Sequence, residues 1–350
     1  MKICAYFDPH WSQNSSIIRS RGSAYSTRLE NLIQSINWVE LLAWDQGCKC
    51  IICGGDFFDS AILNSEEISA LHHINWAPLS HVFITGNHEV AMSNLDYSSS
   101  HIFSLCPNSV VFNKPEHFSF DGEGTELCFL PYILERDRLP LSEYFPQKTS
   151  KRIIFSHNDI KDIQYGQFIS TEGFSVSEIE NNCDLFLNGH IHHCCQITDR
   201  IINGGNLTGQ NFTEDGYSFE HCALIIDTDD LSVKFFKNPH AFNFYKINLL
   251  DCSDIDAVRL VIDGLKNNSI VTFKVRDVLA DSLRSLISTE FKEKVIEYRI
   301  IVEYSDVTNS TLDNLAEIQS ADHLKSFEAF VLSNIGDNEV VCDELMRILR

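Results

Sequence analysis

Five short apolar runs in this chain each end in metal-binding residue types rather than in ordinary turn residues. "KICAYF" leads into Asp8-Pro9-His10, and "KCIIC" into Gly54-Gly55-Asp56-Phe57-Phe58-Asp59. "HVFIT" leads into Gly86-Asn87-His88-Glu89, "KRIIFS" into His157, and "DLFLN" into Gly189-His190-Ile191-His192. Short continuous apolar runs bounded by turn residues read as strands buried on both faces. Open α/β sheets place their sites outside the carboxyl ends of such strands. The five sets of side chains are therefore expected to meet at one sheet edge.

The residue types fit that placement. Imidazole and carboxylate together suit manganese, iron or zinc, and a site rich in both can hold two divalent ions bridged by one carboxylate. In an extended Asp-x-His or His-x-His the side chains at i and i+2 point the same way, so both can face an ion while the residue between them packs elsewhere. Gly55, Gly86 and Gly189 permit tight turns and close backbone approach beside the ions. A single Asp-x-His is a weak signal; five such endings, in order, are a strong one.

Residues 1 to about 240 alternate apolar strands with polar turns and helical stretches, as a layered α/β domain does. The expected strands are 2–7, 49–54, 81–85, 126–131, 151–156 and 183–188. Between the first two, Leu29, Leu32, Ile33, Ile36, Val39 and Leu42 fall at helical spacing and predict one apolar helix face. "CALIIDTDD" and "LSVKFFKN" predict a hairpin turning at Asp229 and Asp230. "KNPHAFNF", 237–244, marks a boundary. Beyond it strand, helix, strand, helix and strand predict a small α/β domain over 241–307, and 308–350 suggests short amphipathic helices.

Of the 350 residues, 49 are acidic and 27 basic, a net charge of −22 that argues against a free-standing nucleic-acid binder with a broad basic face. Arg19, Arg21 and Arg28 make the only early basic cluster and are candidates for phosphate contacts or, equally, for a solvated loop. Twelve cysteines without a secretory signal read as reduced thiols, and no apolar run reaches the length of a membrane helix. Both expectations point to the cytoplasm and to no membrane partner.

In this order, Asp-x-His, Gly-Asp-x-x-Asp, Gly-Asn-His-Glu, a strand-terminal His and Gly-His-x-His resemble the calcineurin-like metallophosphoesterase superfamily. The resemblance covers most of 1–240 and implies a four-layer α/β/β/α sandwich holding two divalent ions, manganese first, with iron or zinc as alternatives. It implies one ion on Asp8, His10, Asp56 and His192 and another on Asp56, Asn87, His157 and His190. His88 would act on the phosphate and Asp59 would orient it.

The flanks narrow the resemblance. Arg28 followed by Glu30, the stretch after Gly189-His190-Ile191-His192, and a small α/β cap behind the first domain resemble SbcD-type DNA exonuclease subunits. That likeness implies a DNA exonuclease, with endonuclease activity open, serving DNA repair, recombination or replication. It also implies a homodimer bound to the coiled coil of an SbcC-like ATPase. Leu324, Phe327, Phe330, Val331, Leu345, Ile348 and Leu349 would anchor the tail there, unless those helices cover the chain's own cap. Two departures stand out: Trp11-Ser12 where the family commonly has Leu-Gly, and Glu89 where it commonly has Asp. Glu at that place occurs among phosphatases of the superfamily, so a metallophosphatase or a small-molecule or cyclic-nucleotide phosphodiesterase is the alternative.

Overall fold

The computed structural model describes residues 1–14, 25–119, 124–145, 148, 150–165 and 168–304. Arg19, Arg21 and the tail 308–350 lie outside the described residues. The first part of the chain runs β1 (Lys2–Tyr6), α1 (Thr27–Asp45), β2 (Cys50–Cys53), α2 (Ser65–Ala70), β3 (Ser80–Ile84) and β4 (Ser109–Phe112). It continues through β5 (Glu116–Ser119), β6 (Thr125–Leu130), α3 (Leu141–Tyr144), β7 (Lys151–Ser156), α4 (Val176–Asn182) and β8 (Leu185–Asn188). It closes with β9 (Cys195–Gln196), β10 (Ile201–Asn203), β11 (Cys222–Asp227) and β12 (Val233–Lys237), the last two being the expected hairpin.

These strands make two six-stranded sheets, ordered β12-β11-β1-β2-β3-β4 and β9-β10-β8-β7-β6-β5. Each has four consecutive parallel strands; the first sheet adds the β11–β12 hairpin beside β1, antiparallel at the β1–β11 pairing, and the second adds antiparallel β9 and β5 at its two edges. The continuous apolar runs have a direct explanation, because successive side chains on a strand point to opposite faces and both faces are covered. Ala5, Phe7 and Ile52 from the first sheet share one core with Leu127, Phe155 and Leu187 from the second. Their neighbours Cys4, Tyr6 and Ile51 face the other way, against Leu29, Leu32, Ile36 and Val39 of α1. On the far side of the second sheet Cys128, Ile154 and Phe186 pack with Leu141, Phe145 and Ile179.

Local chemistry starts the helices where the sequence suggests. The Ser26 hydroxyl accepts from the Leu29 amide to cap α1, and Asn64 and Glu67 form a reciprocal capping box on α2. Trp11 is fully buried; its Nε1 donates to the Glu67 carbonyl at 2.9 Å, tying the loop after β1 to α2.

Beyond residue 240 the order is β13 (Asn243–Asn248), α5 (Ile255–Asp263), β14 (Ser269–Arg276), α6 (Asp277–Glu290) and β15 (Val295–Glu303), the alternation read from the sequence. The three strands form a parallel sheet with its own core against both helices, including Val258, Ile262, Phe273 and Leu283. This unit grips the 209–216 segment. Gly216 N donates to Phe244 O at 2.7 Å, the Tyr245 hydroxyl donates to Gly216 O at 3.3 Å, and Phe212 packs on Phe244 and Ile270. Among the described residues no helix is long and apolar enough to cross a membrane, and eleven cysteines are free thiols.

Candidate metal centre

The five strand ends converge, but from two sheets rather than one. β1, β2 and β3 deliver Asp8, His10, Asp56, Asn87 and His88 from the first sheet, and β7 and β8 deliver His157, His190 and His192 from the second. The expectation of a single sheet edge came from local strand pattern, which does not encode strand pairing; the α/β/β/α layering implied by the resemblance does contain two sheets. Backbone bonds from Asp8 N to Gly55 O and from His10 N to Asp56 O lash the first two loops together.

Three overlapping groups have ligand atoms all within 4.8 Å of one another: Asp8, His10 and His192; His10, Asp56 and His88; Asp8, Asp56 and His157. His10 Nε2 lies 3.0 Å from His192 Nε2. His157 Nε2 lies 3.2 Å from Asp56 Oδ2 and 3.2 Å from Asn87 Oδ1, and His190 Nδ1 is 2.9 Å from that same amide oxygen. Ligands about 2.1 Å from a shared ion sit about 3 Å apart, so the spacing and the oxygen and nitrogen donors both suit divalent metal ions.

Electrostatics agree. Burial works to lower the His157 pKa, yet the Asp56 and Asp8 carboxylates outweigh it and hold the ring up at about 10. Burial likewise opposes ionisation of Asp56, but the adjacent His157 wins and its pKa falls well below the usual carboxylate range. Two buried carboxylates at this point require positive charge, whether from a proton or from a metal ion.

The backbone is shaped for the site. Asp8, His10, Asp56 and His190 all have positive φ, at 46°, 50°, 47° and 73°. Each such non-glycine residue costs on the order of 1–3 kcal/mol, strain that persists where surrounding structure enforces it. At Gly55 a Cβ would come within 2.0 Å of His157 Nδ1, and at Gly86 within 2.1 Å of Asp56 Oδ1. Only residues without a side chain fit these positions.

Supporting groups hold the rings. Asp59 Oδ1 is 2.9 Å from His10 Nδ1 but 3.6 Å from His88 Nδ1, so its carboxylate serves His10 more closely than His88. His88 Nδ1 instead donates to the Asp59 backbone carbonyl at 3.2 Å. The Gly54 carbonyl holds His157 Nδ1 at 3.0 Å. Glu89 is fully buried and accepts from Gly86 N and Phe58 N, clamping the loop after β3 to the loop after β2. Burial, reinforced by Asp56, pushes its pKa up to about 8.

Sequence reading missed two partners. Glu214 Oε1 lies 2.9 Å from His192 Nδ1, and its other oxygen accepts from Asn206 Nδ2 and Gln210 N. No pattern announces Glu214, because tertiary folding alone brings it to the site. Asp159, 3.4 Å from His190 Nε2, had a signal in its position two residues after His157. Arg28, in contrast, is no candidate for phosphate. It is buried and donates to the carbonyls of Pro9 and Gly209, where it braces the loop carrying Asp8 and His10.

Neither a protein-family model nor a curated protein sequence matches the chain. Among solved structures, TT1561 of Thermus thermophilus is similar at a TM-score of 0.40 and 12% identity, covering 67% of this chain and 98% of that one. A likeness of this degree says nothing of activity.

Proposed function

We propose that the chain is a metal-dependent phosphodiesterase of the calcineurin-like type, an SbcD-like DNA nuclease subunit. In this reading 1–240 is the four-layer α/β/β/α catalytic sandwich, 241–307 its cap and 308–350 a docking segment for an SbcC-like ATPase, which would supply the basic DNA-gripping surface this acidic chain lacks. The observation that carries the reading is the convergence of seven donor residues, Asp56 among them, with His88 beside them.

The proposed ligands are Asp8, His10, Asp56 and His192 for one ion and Asp56, Asn87, His157 and His190 for the other. Two divalent cations there supply charge stabilisation for a phosphoryl group and a water acidic enough to attack it. The protein's own groups do the rest. Glu214 and Asp59 hold the rings of His192 and His10 with their Nδ1 protonated, keeping both Nε2 lone pairs inward. His88 is 46% exposed, and with Nδ1 bound to a carbonyl its Nε2 can meet a phosphate oxygen or protonate the leaving group.

The test is purified full-length protein with Mn2+, alone and with its partner ATPase, on duplex and single-stranded DNA. Nucleotide release that requires Mn2+ is expected, and no cleavage in either state would refute the nuclease. The net charge of −22 favours a second reading, a metallophosphatase or small-molecule phosphodiesterase, which predicts turnover of such substrates far above DNA. Glu89 does not add to that case, since it serves as a buried loop clamp.

A further inference from the structure

A cavity of 440 Å³ opens beside the metal centre and shares Asn87 with it. That volume lies within the range of about 300–1,000 Å³ typical of small-ligand sites. One wall is Leu95 on the hairpin formed by Val90–Ala91 and Asn94–Ser98; the other is Tyr132 and Leu134, in the segment after β6. Asp96 and Asp137 also line it, and among the described residues no lysine or arginine does.

The Tyr132 ring lies 5.8 Å from that of His190, a candidate metal ligand. Its wall is held in place: Tyr132 N donates to Thr85 O at 2.9 Å, and Ile133 N to Asn158 Oδ1 at 3.0 Å. The Tyr132 hydroxyl has no hydrogen-bond partner among the described residues.

This combination selects a ligand class. Asp137 pairs with Arg136 at 3.5 Å and Asp96 accepts from Asn113 Nδ2 at 3.1 Å, but no basic side chain is among the lining residues themselves. The cavity therefore offers phosphate two carboxylates and no cation of its own, and does not take the nucleic-acid backbone. Carboxylates accept from exocyclic amino groups, and an aromatic face with aliphatic walls suits a flat ring. We infer that the cavity takes the nucleobase of the nucleotide whose phosphate lies at the metal centre. The substrate is then a nucleotide with its base out of the stack, because a base inside a duplex cannot enter such a pocket. This rests on the phosphodiesterase reading above and specifies its substrate class.

The test is calorimetric titration of the full-length protein in Mn2+ with deoxyadenosine 5′-monophosphate and with deoxyribose 5-phosphate, which lacks the base. The wild type should bind the nucleotide about tenfold or more tightly than the sugar phosphate. Tyr132→Ala should erase that difference, and Tyr132→Phe, which keeps the ring, should retain it. Equal affinities in the wild type, or a difference that survives Tyr132→Ala, would overturn the inference. Hydrolysis of bis(4-nitrophenyl) phosphate by the same preparation reports on the phosphodiesterase reading separately, so one can fail without the other.

Discussion

Replacing Glu214 by glutamine changes almost no volume, yet the geometry predicts a large loss of metal affinity. Glu214 Oε2 receives two donors, Asn206 Nδ2 at 3.1 Å and the Gln210 amide at 2.8 Å, while Oε1 lies 2.9 Å from His192 Nδ1. A glutamine that keeps its oxygen under the two donors must turn its NH2 toward His192. The ring then accepts at Nδ1 and carries its proton on Nε2, where the ion should bind. The opposite flip sets an NH2 against two donors in a buried site, which is worse. Loss of such an outer-shell partner costs about 10- to 100-fold in metal affinity, or about 1.4–2.7 kcal/mol. Titration of wild type and Glu214→Gln with Mn2+ by calorimetry, with circular dichroism to confirm folding, reads this directly. Unchanged Mn2+ affinity in a folded variant would refute the positioning role.

Further outcomes follow from the same geometry. His88→Ala should keep Mn2+ binding but lower kcat by about 10²- to 10⁴-fold, measured on bis(4-nitrophenyl) phosphate; near-normal turnover would remove His88 from the reaction. Arg28→Ala should destabilise the fold by about 3 kcal/mol in urea, since two buried carbonyls lose a charged donor; a loss under 1 kcal/mol (about the worth of one ordinary hydrogen bond) would show the brace to be unimportant. Burial holds the His221 pKa down at about 4, against the partial opposition of Glu214. The folded state therefore binds fewer protons than the unfolded chain between about pH 6.5 and pH 4, so this contribution is complete above that window and is lost as pH falls through it. From pH 7 to pH 5 the metal-free wild type should lose about 2 kcal/mol more than His221→Gln; parallel pH profiles would contradict the assignment.

How much was legible in the sequence differs by element. The strands ending at Asp8, Asp56, Asn87, His157 and His190 were readable because the middle of each packs on both faces and so carries a short continuous apolar run. Helix α1 was readable from its spacing, and four of its six expected apolar residues are fully buried. The candidate ligands were readable because the chain places them in fixed order right after those strands. Strand order was not readable from local pattern, and a division into two sheets was implied only by the family resemblance with its α/β/β/α layering. Glu214 was invisible for a related reason: it lies 22 residues after His192, beyond β9 and β10, in the 209–216 segment held by the unit beyond residue 240, and nothing near it in the chain marks the pairing. Neither expectation for Arg28, phosphate contact or a solvated loop, holds, because a basic residue beside a candidate site suggests one of these, whereas its guanidinium is buried and consumed by carbonyls inside the protein.

The central claim is that paired cations share Asp56. Crystals grown with Mn2+ and measured at the manganese absorption edge test it most directly. The account predicts two anomalous peaks flanking the Asp56 carboxylate, one beside Asp8, His10 and His192 and the other beside Asn87, His157 and His190. No peak at Asp56, or manganese bound only elsewhere, would contradict it.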